Sequence, residues 1–149
     1  MAFHFPLQAL LHLRNSMEHQ QELKLRAANQ RLSRVRHMLE QLEEQRLELR
    51  AAQSRQLSDG TTAAELRFQL QCEGQMLRHR REIEQQFVIL EKARNQQREV
   101  LQSARRARET LEALRDQQLD AYEKQARRRE QRNLDDLFLM RLLAHRTHP

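Results

Sequence analysis

The sequence predicts an all-α fold: a long antiparallel two-helix coiled-coil hairpin whose C-terminal helix overhangs its partner. Three observations lead there. Helix breakers are nearly absent, with two glycines, Gly60 and Gly74, and two prolines, Pro6 and Pro149, in 149 residues. Leucine and alanine recur at steps of three and four, the spacing that draws one apolar stripe along a helix. A single turn signal, Ser58-Asp59-Gly60-Thr61-Thr62, divides the chain. Two long helices joined by so short a turn run antiparallel. The expected organisation is one coiled-coil domain over residues 1–149, with a helix over about 6–56, a turn over about 57–61 and a helix over about 62–145.

Composition supports a narrow seam and excludes a globular core. Aromatic residues make up 4%, tryptophan is absent and charged residues reach 32%, too little bulk to fill a compact interior. Disorder is the competing reading of the charge and glutamine content, and the sustained leucine period argues against it. The net charge of +6 is shared evenly by the two arms rather than gathered into a patch. Cys72 is the single cysteine; with no second thiol it reads as a small apolar helix residue in a reducing compartment. Met1-Ala2-Phe3-His4-Phe5 lacks the basic and apolar blocks of a secretory signal. The apolar runs Phe87-Val88-Ile89-Leu90 and Leu137-Phe138-Leu139-Met140 are too short to span a bilayer. A soluble cytoplasmic protein is expected.

Taken in order, Pro6 suits the first position of a helix, where its missing N–H costs nothing. Either Phe3 or Phe5 could staple onto Leu10. Leu7, Leu10, Leu11, Leu13 and Met17 make the start apolar, and the stripe thins at Glu18 and Gln21. From Leu25 the seam runs Leu25, Ala28, Leu32, Val35, Leu39, Leu42, Arg46, Leu49 and Gln53, a coiled-coil spacing that weakens towards the turn. Gly60 tolerates the positive φ of a helix end. Thr62-Ala63-Ala64-Glu65 reads as a capping box, with Thr62 and Glu65 satisfying each other's amides.

The second arm is expected to open with Leu66, Leu70 and Leu77 on its main face and Phe68, Cys72 and Met76 on a flank. Gly74 inside it permits slight bending. The seam then continues through Ile83, Phe87, Leu90, Gln97, Leu101, Ala104, Leu111, Gln118 and Tyr122, with Arg94, Arg108 and Arg115 at intervening positions. Those arginines are expected to snorkel outward and loosen the seam. The first helix spans about 75 Å and the second about 125 Å at the α-helical rise. The first arm therefore ends near position 112 of the second, leaving about thirty residues to project without tertiary support. Leu134, Leu137, Phe138, Met140 and Leu142 keep that projection apolar, which implies a foreign surface to cover them.

Catalytic chemistry has no foothold. Two glycines fourteen residues apart form no phosphate-cradling loop. His12 and His19 share a face about 10 Å apart along the helix, too far for one metal. His145 and His148, at i, i+3, have two readings, a weak metal pair or, the favoured one, an incidental tail, and the carboxylates lie on solvated faces. No enzyme, cofactor or metal site is expected. Arg127-Arg128-Arg129-Glu130-Gln131-Arg132 has two readings, a solvated helix face or a docking surface for an acidic partner.

The two ends carry a family resemblance. Phe3-His4-Phe5-Pro6-Leu7-Gln8-Ala9-Leu10-Leu11-His12-Leu13-Arg14, followed by Glu18 and Glu22, resembles the opening of the flagellar export protein FliJ. Arg128-Arg129-Glu130-Gln131-Arg132-Asn133-Leu134-Asp135-Asp136-Leu137 is similar to that family's basic, glutamine-containing stretch near the helix end, with Asp136 where a glutamate is expected. The resemblance covers essentially the whole chain. It implies a cytoplasmic component of the flagellar type III export apparatus, peripheral at the inner face of the cell membrane, with an antiparallel coiled coil like the central stalk of rotary ATP synthases. It further implies association with the hexameric export ATPase FliI, with the cytoplasmic domain of the export gate protein FlhA, and with export chaperones.

A rod with two dissimilar ends can bridge two partners. The expected ATPase-facing residues are Leu7, Leu10, Leu11, Arg128, Arg129, Arg132, Leu134, Leu137, Phe138 and Met140. The expected gate-facing residues near the turn are Leu42, Leu49, Cys72, Met76 and Ile83; Leu42, Leu49 and Ile83 read equally well as seam packing, whereas Cys72 and Met76 lie off the main stripe. Two other classes compete. A basic coiled coil binding nucleic acid or an anionic membrane would use Arg127, Arg128, Arg129 and Arg132 and lose affinity steeply with salt, but the chain lacks a concentrated stripe with interleaved aromatics. A homodimer pairing the same stripes between chains is the third, and light scattering separates it from a monomer.

Overall fold

The computed structural model describes residues 2–147. It consists of two long helices packed against each other, α1 (Gln8–Asp59) and α2 (Ala63–Thr147), with no strand among the described residues. Ahead of α1 the Gln8 amide donates to the Phe5 carbonyl at 3.1 Å. Pro6 therefore lies in a turn just before the helix rather than at its first position.

The connection between the helices is built from side chains on both sides. Gly60 takes a φ of +96°, and no other described residue has a positive φ; this is the backbone region only glycine enters freely. The Thr61 hydroxyl donates to the Gln56 carbonyl at 2.9 Å and the Ser58 hydroxyl to the Arg55 carbonyl at 2.8 Å, adding side-chain bonds to the last turn of α1. The Thr62 amide donates to Glu65 Oε2 at 3.1 Å, and the Glu65 amide donates to Thr62 Oγ1 at 3.4 Å. This reciprocal pair is the capping box the four letters predict.

The chain divides into two compact units, one from His19 to Ser103 and one joining the residues up to Glu18 with those from Ala104 onward. In the His19–Ser103 unit, Leu32, Val35, Ile83 and Leu101 form the buried centre. Leu25, Ala28, Leu39 and Leu42 on α1, and Phe87 and Leu90 on α2, are half-buried along the same seam. Polar pairs cross it in sequence. Gln56 meets Gln69, Arg50 meets Glu73 at 3.8 Å, Glu43 meets Arg80 at 3.0 Å, and Gln21 meets Gln97 at 2.7 Å. Partners fall along α1 as they rise along α2, which is antiparallel order. Arg36 also lies 5.8 Å above the Phe87 ring, a cation–π contact.

One expectation fails here. Leu66, Leu70 and Leu77 are exposed, whereas Gln69, Cys72, Glu73, Met76 and Arg80 turn inward. Counting back from Ile83 in steps of three and four lands on Arg80, Met76, Glu73 and Gln69. An unbroken helix cannot change phase to bring the three leucines inside. Gly74 does not interrupt α2.

In the other unit, Phe5 and Leu11 are buried, and Leu11 is only 2% exposed. Leu10 stays exposed, so neither phenylalanine forms a buried staple on it. Phe3 instead meets Tyr122, with ring centroids 5.7 Å apart. That contact lies further along α2 than position 112, because the segment ahead of α1 also folds onto the helix. Ala104, Arg108, Leu111, Arg115 and Gln118 are partly covered at steps of three and four. Every residue from Arg127 to Arg146 is exposed.

Candidate partner interface

Three groups of side chains stand out: an ion cluster in the unit that includes Glu18, the exposed end of α2, and the inward face of α2 close to the turn. The ion cluster centres on Glu18, which is 8% exposed and is the one buried polar side chain among the described residues. Its Oε1 accepts from Arg105 Nε at 3.2 Å, its Oε2 accepts from Arg108 Nε, and Arg108 also reaches Glu112 at 2.7 Å. Burial alone would raise the Glu18 carboxyl, but the bonds from Arg108 and Arg105 outweigh it and hold the group below its ordinary value. Glu18 and Glu112 push the Arg108 guanidinium further up. Arg108 therefore does not snorkel into solvent. Its position on the seam is occupied by a paired charge, and the outward turn expected of a seam arginine is corrected here. Stepping back seven from Leu25 lands on Glu18, and that interval is the signal in the sequence that marks it as inward-facing.

The exposed end of α2 carries seven of the ten residues expected to face the ATPase. Leu134, Leu137, Phe138 and Met140 are 61%, 55%, 64% and 67% exposed, and Leu139, Leu142 and Leu143 are about as open. At 100° per residue, Leu137 to Leu143 point apolar side chains around the whole circumference, with only Arg141 among them charged. Arg128, Arg129 and Arg132 precede them and are exposed, while Arg127 pairs with Glu123 at 3.8 Å. Of the remaining three, Leu7 and Leu10 are more than a third exposed, whereas Leu11 is core.

The five residues expected to face the export gate divide likewise. Leu49 and Met76 line one shallow groove with Gln45, Glu48 and Ala52. Leu42 and Cys72 are half-buried, and Ile83, at 5% exposed, belongs to the core. Cys72 and Met76 sit on the packed face of α2 rather than off it.

Among the described residues no cluster of histidine, cysteine and carboxylate side chains is arranged to hold a metal. His145 is exposed, and His148 lies outside the described residues. His12 lies 3.2 Å from the Gln8 side-chain amide. No described helix is long and apolar enough to cross a membrane. The family model described as Flagellar FliJ protein matches residues 3–147. No curated protein and no solved structure matches the chain.

Proposed function

The chain belongs to the FliJ family of flagellar proteins, and from that premise we propose that it is a non-enzymatic adaptor of flagellar protein export. It binds and stimulates the hexameric export ATPase FliI and links it to the export gate protein FlhA and to export chaperones. Membership of the family supports the role in export; the partners belong to this proposal. In it the 149 residues act as one hairpin whose second helix overhangs the first, held peripherally at the inner face of the membrane through its partners.

The observation that carries the proposal is the end of α2. A helix that is apolar on every side is one that other protein surrounds, and Leu137 to Leu143 are apolar on every side and exposed. A flat partner would cover one face and leave the rest wet. A socket, such as the hole of a ring-shaped ATPase, covers them all. Leu7 and Leu10 join this surface, and Arg128, Arg129 and Arg132 meet an acidic rim. Leu11, being core, supports the surface from behind. Near the turn, Leu49 and Met76 offer the gate an apolar groove, flanked by Leu42 and Cys72 and backed by Ile83.

The test measures ATP hydrolysis by the cognate hexamer with and without this protein. Replacing Leu134, Leu137 and Phe138 together by alanine is expected to weaken stimulation about tenfold or more, since each central apolar anchor contributes above 1 kcal/mol. Full stimulation by the triple variant refutes terminal docking. Tight, steeply salt-dependent binding to duplex DNA or to anionic vesicles, with no effect on the ATPase, would replace the adaptor by the basic coiled-coil reading.

A further inference from the structure

The seam of α1 and α2 interleaves leucine, alanine and valine with polar residues at coiled-coil spacing, and sliding one helix by seven residues keeps each position on the seam while changing which residue it meets. Leucine, alanine and valine alone distinguish one axial alignment from the next only weakly; the polar positions do so sharply. We infer that Glu18, Arg105 and Arg108 form a register lock that selects a single alignment of α1 against α2. Glu18 is buried and meets two guanidinium groups at once. Displacing α2 by seven residues in one direction would put Glu112 and Arg115 in their place, an anion and one cation. In the other direction Arg98 and Leu101 would arrive, leaving one cation and an apolar contact. Only the observed alignment gives the buried carboxylate two cations.

A second polar layer, within the His19–Ser103 unit, obeys the same rule. Gln97 Nε2 donates to Gln21 Oε1 at 2.7 Å and to the Gln21 carbonyl at 3.3 Å. A seven-residue slip would offer Gln21 either Ala104 or Leu90, and neither side chain can complete a hydrogen bond. Mismatched alignments thus leave Glu18 with a single cation and the part-buried Gln21 without a side-chain partner, and a polar group left unmet there costs more than its pair contributes in the matched one. A buried ion cluster adds little stability over well-packed apolar side chains, and its best-attested use is fixing register. Register in turn decides which residues of α2 the start of α1 covers, and so which stay open to a partner.

The test reads alignment directly on the full chain. Cys72→Ala removes the native thiol, and nitroxide labels go on the exposed positions Asn15 and Glu109. Pulsed electron resonance is expected to give one narrow distance in that background. Adding Glu18→Leu and Arg108→Leu should keep the helical circular dichroism and the melting temperature, yet produce a second distance from helices displaced by about 10 Å, seven residues of rise. A control, Leu11→Ala, loosens packing without touching the charges and should lower the melting temperature while keeping one distance. A single unchanged distance in the doubly substituted protein overturns the lock, as does loss of its helical signal. A second distance in the Leu11→Ala control also overturns it, because packing rather than charge would then hold the register.

Discussion

Leucine has opposite fates in two stretches of this chain. Leu32 and Leu101 are buried between two helices, while Leu134, Leu137, Leu139 and Leu143 stand more than half exposed. The side chain is the same, and the difference is what lies opposite. Between His19 and Ser103 the apolar positions on the seam face the neighbouring helix, while Leu70, Val88 and Ile89, off the seam, stay exposed. Beyond Arg127 every described residue up to Arg146 is exposed. Burial in the first stretch stabilises the fold, whereas the exposed second stretch is the surface that the proposed function assigns to a partner.

Substitutions can separate the two roles. The largest effect is expected for Leu32→Ala, which should cost about 2–3 kcal/mol in a two-helix seam where water partly fills the gap, measured by urea denaturation. Leu137→Ala should change stability by less than about 0.5 kcal/mol and show its effect only in partner binding. If Leu137→Ala destabilised as much as Leu32→Ala, the end of α2 would be core and the comparison would collapse.

Glu18→Ala comes next, at about 1–3 kcal/mol, because Arg108 loses its partner on the other helix and keeps only Glu109 and Glu112 of its own. Its pH dependence sharpens the point. The folded carboxyl lies below its ordinary value, so its contribution is fully present above the ordinary glutamate range. It is lost as pH falls from that range through the lower folded value. Acid titration of the wild type should therefore show a loss of stability in that window that Glu18→Gln lacks. A parallel loss in both proteins would assign the acid sensitivity elsewhere.

Smaller effects test the turn and the helix interior. Thr62→Ala removes the acceptor of the Glu65 amide and should cost about 1 kcal/mol. Gly74→Ala should stabilise by up to about 1 kcal/mol, because a Cβ there meets nothing within 4 Å. Thermal melts resolve both signs.

Much of this was legible in the letters. The turn is written in Gly60 and in the Thr62–Glu65 pair, since local hydrogen bonds depend only on neighbours. The α1 seam from Leu25 to Leu42 is legible because one period explains every position. The start of α2 was not. Leu66, Leu70 and Leu77 form an attractive stripe of their own, and only the phase imposed from Ile83 onward turns them outward. Glu18 and Arg108 were misread for a related reason. Each looks like a defect in an apolar stripe when its helix is read alone, and each becomes a matched pair once the other helix is in place. The exposed end of α2 was legible as an apolar surplus, while the partner proposed for it comes from the family resemblance rather than from the period.

Hydrogen–deuterium exchange across the whole chain, with and without the hexameric export ATPase, addresses the central claim most directly. Strong protection of Leu134–Leu143 on adding the hexamer, with little change at Leu32 or Leu101, is the predicted result. Protection confined to other parts of the chain, with Leu134–Leu143 exchanging as fast as in the free protein, would contradict it.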